Sequence, residues 1–275
     1  MLPPPKITFG PYVMGVVNVT PDSFSDGGRW TDLADAIDHA MALLEDGADV
    51  IDVGGESTRP GAPAISADEE IDRVAPLIAA IRARSDAPIS IDTMKPAVAR
   101  EAYGAGATIW NDVAALSFSK DAPKVAAELG LPVVLMHMRG DPRTMQDNLN
   151  YDDVVAEVIA YLKERAAAAE EAGVKAENIW IDPGVGFGKN LAHNLALIAA
   201  TRRVKAETGR KLLFGASRKS FIGRLDDNAP ANQRLGGSVA VALLAAQGGA
   251  DMVRVHDVRE TAQALKVWRA VHGSR

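Results

Sequence analysis

The chain has 275 residues, enough for one large α/β barrel or two small domains. Hydrophobic residues make up 47% and charged residues 24%, as in an ordinary globular domain, and the net charge of −6 comes without a basic stripe or aromatic RNA motif, which argues against nucleic acid as a partner. There is no cysteine for disulfide or thiolate chemistry, no apolar run of roughly 18 residues, and only a Pro-rich, non-signal-like start over residues 1–11, so a cytoplasmic protein with no membrane partner is expected.

Residues 12–19, YVMGVVNV, form a continuous apolar run that closes on Asn18. Leu33, Ala36, Ile37, Ala40, Met41 and Leu44 then repeat at the spacing of one helix face, and Gly47 ends that helix. DVIDVGGE, 49–56, predicts the next strand. Ser66 and Glu69 have capping-box spacing and open a helix to about residue 84. PISIDT (88–93), TIWNDV (108–113) and PVVLMHM (132–138) read as three more strands, with short helices between them. A long helix covers roughly 151–171. IWIDPGVGFGK, 179–189, follows: a buried strand closes on Asp182, Pro183 stops regular pairing, and three glycines crowd the next five residues. A helix near 190–207, the strand KLLFGAS (211–217), a helix near 233–247, the strand MVRVHD (252–257) and a last helix complete the chain.

Strict alternation of apolar strands with helices means a parallel sheet, and eight such units predict a single-domain (β/α)8 TIM barrel over residues 1–275, with 1–11 as an N-terminal extension. An open doubly wound sheet is the alternative. No GxGxxG follows the first strand, which counts against its dinucleotide-binding form.

Barrel active sites lie at the C-terminal strand ends. Those ends carry Asn18, Asp52 with Glu56, Asp92, Asn111 with Asp112, His137, Asp182, Ser217 to Lys219, and Arg254 with His256. Any one of these taken alone is as well explained by a cap or a structural ion pair. A polar residue at every strand end is not. Asp92, Asn111 and Asp182 suit a flat heterocycle with an edge of N–H donors, and Lys219 adds a cationic donor. Arg254 and His256, two apart on one strand, share a face and with Asn18 could hold a phosphate or a metal-bound phosphate. Loops 20–31 and 57–67 are longer than a barrel requires and could act as lids.

These motifs resemble the dihydropteroate synthase family. The resemblance runs from MGVVNVTPDSFSDGG (14–28) through DVGGESTRPGA (52–62), ISIDT (89–93), NDV (111–113), LMHM (135–138), DPGVGFGK (182–189) and GASRKSFIG (215–223) to RVHDV (254–258). It implies a barrel enzyme, usually a homodimer, that joins p-aminobenzoate to 6-hydroxymethyl-7,8-dihydropterin diphosphate with Mg2+ and releases diphosphate. It also implies roles. Asp92, Asn111, Asp182, Lys219 and Arg254 hold the pterin. Asn18, Thr58, Arg254 and His256 meet the diphosphate, and Asn18 contacts Mg2+. Phe24, Thr58, Pro60 and Ser220 lie beside p-aminobenzoate, and Phe24 and Asp26 close over the site. Asn18, Asp26, Lys219, Arg254 and His256 are the implied catalytic residues. The stretch AALSFS after NDV departs from the family pattern, and residues 139–150 match nothing in it. A methyltetrahydrofolate-dependent methyltransferase barrel and a catalytically silent pterin-binding paralogue are the alternatives.

Overall fold

The computed structural model describes residues 10–19, 29–57, 61–140, 145 and 149–273, with backbone only at 29–32. Eight parallel strands run in sequential order and close into a barrel: β1 (Tyr12–Asn18), β2 (Val50–Gly54), β3 (Ile89–Asp92), β4 (Ile109–Asp112), β5 (Val133–Met136), β6 (Ile179–Asp182), β7 (Lys211–Gly215) and β8 (Met252–Val255). The outer ring comprises α1 (Arg29–Glu45), α2 (Ala67–Arg82), α3 (Pro96–Ala105), α4 (Ala122–Leu129), α5 (Val154–Glu171), α6 (Leu191–Ala199), α7 (Thr201–Thr208), α8 (Ser220–Leu225), α9 (Leu235–Gln247) and α10 (Val258–His272). Among the described residues no helix is long and apolar enough to cross a membrane.

Four details differ from the sequence expectation: α1 begins at Arg29, inside the loop expected over 20–31, α8 (Ser220–Leu225) precedes the helix expected near 233–247, and two helices differ as follows. The helix expected over 190–207 breaks at Ala200, whose φ −88 and ψ 8 leave the helical region, and beside the break the Thr201 hydroxyl donates to the Ile198 carbonyl at 2.7 Å. The capping box at α2 is half made. Ser66 Oγ accepts the Glu69 N–H, but the Glu69 carboxylate pairs with Arg73 one turn on, at 2.5 Å.

Strand register builds the barrel interior in layers. Met14, Val50, Ile109, Val134, Trp180, Leu213 and Met252 pack together as an apolar floor. Two residues further along each strand the period of two returns to the interior. Val16, Asp52 and Ser90 are register partners at that level, and Asp52 and Ser90 are fully buried. One more step brings Asn18, Gly54, Asp92 and Asn111 into a row across four strands. Polar side chains thus enter the barrel from its middle to its C-terminal mouth, above a dry floor.

Candidate active site

Gly54 of β2 lies between the Asn18 and Asp92 side chains at the mouth. A Cβ there would stand 3.3 Å from Asn18 Oδ1 and 3.6 Å from Asp92 Cβ. Across the barrel, a Cβ on Gly215 would meet Asp182 Oδ2 at 3.4 Å and the Arg254 side chain at 3.7 Å. The two glycines clear space for a ring of functional side chains rather than relaxing the backbone.

Arg254 reaches across that space. Its Nε donates to Asp52 Oδ2 at 2.6 Å and its Nη2 to Asp92 Oδ2 at 2.7 Å. The planar fork lets one cation serve two carboxylates from different strands. Burial works against the charged guanidinium, but Asp52 and then Asp92 outweigh it and raise its pKa further. Asn111 Nδ2 lies 3.5 Å from the same Asp52 oxygen. The second oxygens, Asp52 Oδ1 and Asp92 Oδ1, are buried and accept no hydrogen bond from any described residue. Buried acceptors of this kind call for donors from ordered water or a ligand.

Burial pushes the Asp92 carboxyl up to about 7. Arg254 pulls it down and Asp52 pushes it up again. Asp182 is raised to about 6, chiefly by burial, although its Oδ1 accepts the Gly184 N–H at 2.7 Å and Lys219 lies near. Burial, with Arg254 beside it, lowers the Lys219 amine to about 8. The Lys219 ammonium sits 3.8 Å from the centroid of the Phe187 ring. His256, just past β8, packs on Ser217, just past β7.

The glycine-rich turn after β6 supports both Asp182 and Lys219. Gly184, Gly186 and Gly188 all have positive φ. Lys189, nearly fully buried, closes the turn: its Nζ donates to the carbonyls of Gly184 and Phe187 at 2.9 Å each and meets His137 Nδ1 at 2.9 Å. At Gly184 the chain combines φ +65 with a Cβ position 1.9 Å from the His137 carbonyl oxygen. Gly184→Ala is therefore expected to lose about 3 kcal/mol of stability or more. A denaturant midpoint equal to that of the parent would rule this out.

The remaining strand-end residues have structural partners. His137 lies against the Tyr161 ring and Lys189, and burial with Lys189 nearby lowers its pKa to about 2. Asp112 accepts the N–H groups of Ala114 and Leu116 and holds the turn in which Ala115 and Leu116 take positive φ; this is the AALSFS segment. Glu56 accepts the Ile65 N–H and pairs with Lys95, which also pairs with buried Glu70. Arg218 forks onto Asp257. Ser220 is the exposed first residue of α8. Phe24, Asp26, Thr58 and Pro60 lie outside the described residues. Sequence reasoning assigned no role to Asp52 or Lys189. A carboxylate in the middle of an apolar strand, VIDVG, is the signal that marks Asp52.

The pterin binding enzyme family matches residues 14–256, from within β1 to just past β8. The dihydropteroate synthase of Escherichia coli (strain K12) is 52% identical over 260 residues, covering 94% of this chain and 91% of the relative. The structure of Xanthomonas albilineans dihydropteroate synthase with 4-aminobenzoic acid superposes with a TM-score of 0.90 at 52% identity, covering 95% of this chain and 93% of that one. The same enzyme in complex with 7,8-dihydropteroate gives 0.86 at 48% identity, with 95% and 94% covered.

Proposed function

As a member of the pterin binding enzyme family, and within it of the dihydropteroate synthases, this chain is a transferase, and we propose that it condenses 6-hydroxymethyl-7,8-dihydropterin diphosphate with p-aminobenzoate. The observation that carries the substrate assignment is the mouth itself. The carboxylates of Asp92 and Asp182 and the amide of Asn111 would suit a donor-bearing heterocycle, Asp92 Oδ1 has no hydrogen-bond partner among the described residues, and Arg254 and Lys219 supply cations beside them. The likeness to dihydropteroate synthases, one of them in complex with 7,8-dihydropteroate, favours this reading over a methyltetrahydrofolate-dependent barrel or a silent paralogue.

In the reaction the neutral arylamine forms a C–N bond to the pterin methylene carbon, the C–O bond to diphosphate breaks, and the amine proton leaves to solvent. No strong base is needed. Departure of diphosphate is the demanding event, and Arg254, His256 and Asn18 would stabilise the charge that develops. Positive charge building on the pterin is favoured by Asp92 and Asp182. Among the described residues no group of three or more His, Asp or Glu side chains is arranged to hold a metal. Asn18, at the end of β1, is the residue that would hold a Mg2+ brought with the diphosphate. Bound there, the ion supplies charge neutralisation to the leaving group. Phe24, Thr58, Pro60 and Ser220 beside p-aminobenzoate, Thr58 at the diphosphate, Asp26 in the closing loop, a homodimer and a cytoplasmic location belong to the same proposal.

The test is direct. Pterin diphosphate, p-aminobenzoate and Mg2+ should yield dihydropteroate, sulfonamides should block the reaction, and excess chelator should abolish it. Full product formation in chelator would remove the metal from the proposal.

The carboxyl shifts predict a pH dependence for pterin binding. Asp92 and Asp182 stand above the ordinary value of 3.8 in the free protein. They therefore favour folding below that value, and this contribution is lost as pH rises through about 6 and 7. A pterin edge of N–H donors favours the ionised carboxylates, so binding should release protons. Affinity is expected to fall by about tenfold or more between about pH 8 and pH 5. Calorimetry in buffers of different ionisation enthalpy measures the released protons; a heat independent of buffer at pH 6 would contradict the assignment.

A further inference from the structure

His256 is part of the proposed diphosphate site, but an imidazole can serve an anion in two ways. It can act as an imidazolium, or as a neutral ring donating from one nitrogen. Which nitrogen carries the proton follows from the hydrogen bonds around the ring. Among the described residues those bonds come from a single side chain, Ser217. The His256 backbone N–H donates to Ser217 Oγ at 3.2 Å, and His256 Nδ1 lies 3.1 Å from the same oxygen. Ser217 sits in the turn after β7 and is 7% exposed. Its oxygen is already the acceptor of one N–H, so its own proton needs an acceptor, and Nδ1 is the acceptor in reach. A buried hydroxyl proton left without one is costly.

We propose that Ser217 is a positioning residue that fixes His256 as the neutral Nε2–H tautomer, by donating its hydroxyl proton to Nδ1. Nε2 then remains a permanent hydrogen-bond donor for an anion, and no proton transfer from His256 is needed when the anion departs. The charged groups around the ring agree. Arg254 stands two residues before it on β8, and Arg218 and Lys219 face it from the turn after β7. Asp257 is the opposing carboxylate, and it is itself paired with Arg218. Burial, with Arg254 and Arg218 next, lowers the His256 pKa to about 3. An imidazolium would add a further cation to this group, whereas the neutral donor adds none. A serine two residues before Lys219 and a histidine two residues after Arg254 thus form one unit across the β7–β8 seam.

The role at diphosphate rests on the function proposed above, but the tautomer does not, so the two can be tested apart. Nitrogen-15 labelling of the five histidines and long-range proton–nitrogen correlation spectra of the ligand-free enzyme report each ring's protonation. The His256 signals are identified by their loss in His256→Gln. The expected pattern is an unprotonated Nδ1 and a protonated Nε2, constant between about pH 5 and 8. Ser217→Ala should give a mixture of tautomers and lower kcat at least about tenfold, with the KM for p-aminobenzoate little changed. Ser217→Thr should restore both the single tautomer and the rate. A protonated Nδ1 in the parent, or a ring that titrates between about pH 6 and 7, would overturn the proposal. Adding inorganic diphosphate with Mg2+ should then move the Nε2 signal. A correct tautomer with no response to diphosphate would overturn the anion role while the positioning by Ser217 stands.

Discussion

Arg254→Met is expected to lower stability by about 3 kcal/mol and kcat by roughly 10²–10³-fold. The stability loss arises because one guanidinium is shared by two buried acceptors. Its removal leaves Asp52, fully buried, and Asp92, largely buried, without their cation. Burial penalises the Asp92 carboxylate, and its repulsion by Asp52 then loses the Arg254 charge that opposes it. Asp92 answers by taking up a proton more readily. Its pKa already lies at about 7 with Arg254 present and must rise further without it. The sign follows. A carboxyl raised in the fold stabilises below its unfolded value and loses that contribution as pH rises through the folded value. The variant's deficit should therefore be larger at about pH 8 than at about pH 5, and denaturant midpoints at the two values measure it. Arg254→Lys keeps the charge but not the fork, so it should recover part of the stability and little of the rate. An equal deficit at both pH values would show that Asp92 is not the group left exposed to the loss. Loss of stability with full turnover would separate Arg254 from the leaving group.

The fold was legible because its signals are local. Each strand is a short apolar run, each helix carries one apolar face, and the cap glycines Gly47, Gly106, Gly130, Gly173, Gly209 and Gly249 all adopt positive φ as their places between elements require. The strand-end rule then put Asp92, Asn111, Asp182, Lys219 and Arg254 at one mouth, where register sets Asp92 beside Asn111 and Lys219 lies near Asp182, Asp92 and Arg254. What stayed hidden depends on barrel closure. Asp52 and Arg254 are 202 residues apart and meet only because β8 returns to β1 beside β2. Lys189 reads as the polar end of a glycine turn, yet it is buried in a cage of carbonyls that no spacing encodes. His137 occupies a strand-end position like the others but turns beneath the rim, against Tyr161 and Lys189. Position along a strand fixes the layer. It does not fix which partner a side chain finds there, and that partner decides whether a polar residue faces substrate or supports its neighbours.

Asp182→Ala is expected to cost roughly 2–4 kcal/mol of pterin affinity while leaving the barrel folded. The carboxylate closes β6 and lies at the mouth, and its Oδ2 faces the space cleared by Gly215. Oδ1 is already committed to the Gly184 N–H, so the side chain is held in one orientation before any ligand enters. That pre-organisation lets a charge-assisted pair with pterin N–H groups reach its full strength, since little entropy remains to be lost on binding. Removing the carboxylate leaves the ligand's donors desolvated and unpaired, which costs more than the bond alone contributed. The fold should survive for two reasons. The Asp182 carbonyl, not its side chain, carries the backbone bond from the His137 N–H, and Lys189 still holds the Gly184 and Phe187 carbonyls of the turn. Lys219 should also respond. Burial and Arg254 lower its pKa while Asp182 raises it, so the variant's amine should deprotonate at lower pH than the parent's. Calorimetry with pterin diphosphate, alongside a denaturant midpoint, separates the two effects. Parent-like affinity would show that Asp182 does not face the pterin, and an unfolded variant would show that its bond to Gly184 carries more of the turn than Lys189 does. Asp182→Asn decides between them, because the amide oxygen can keep the Gly184 bond while the charge-assisted acceptor is lost.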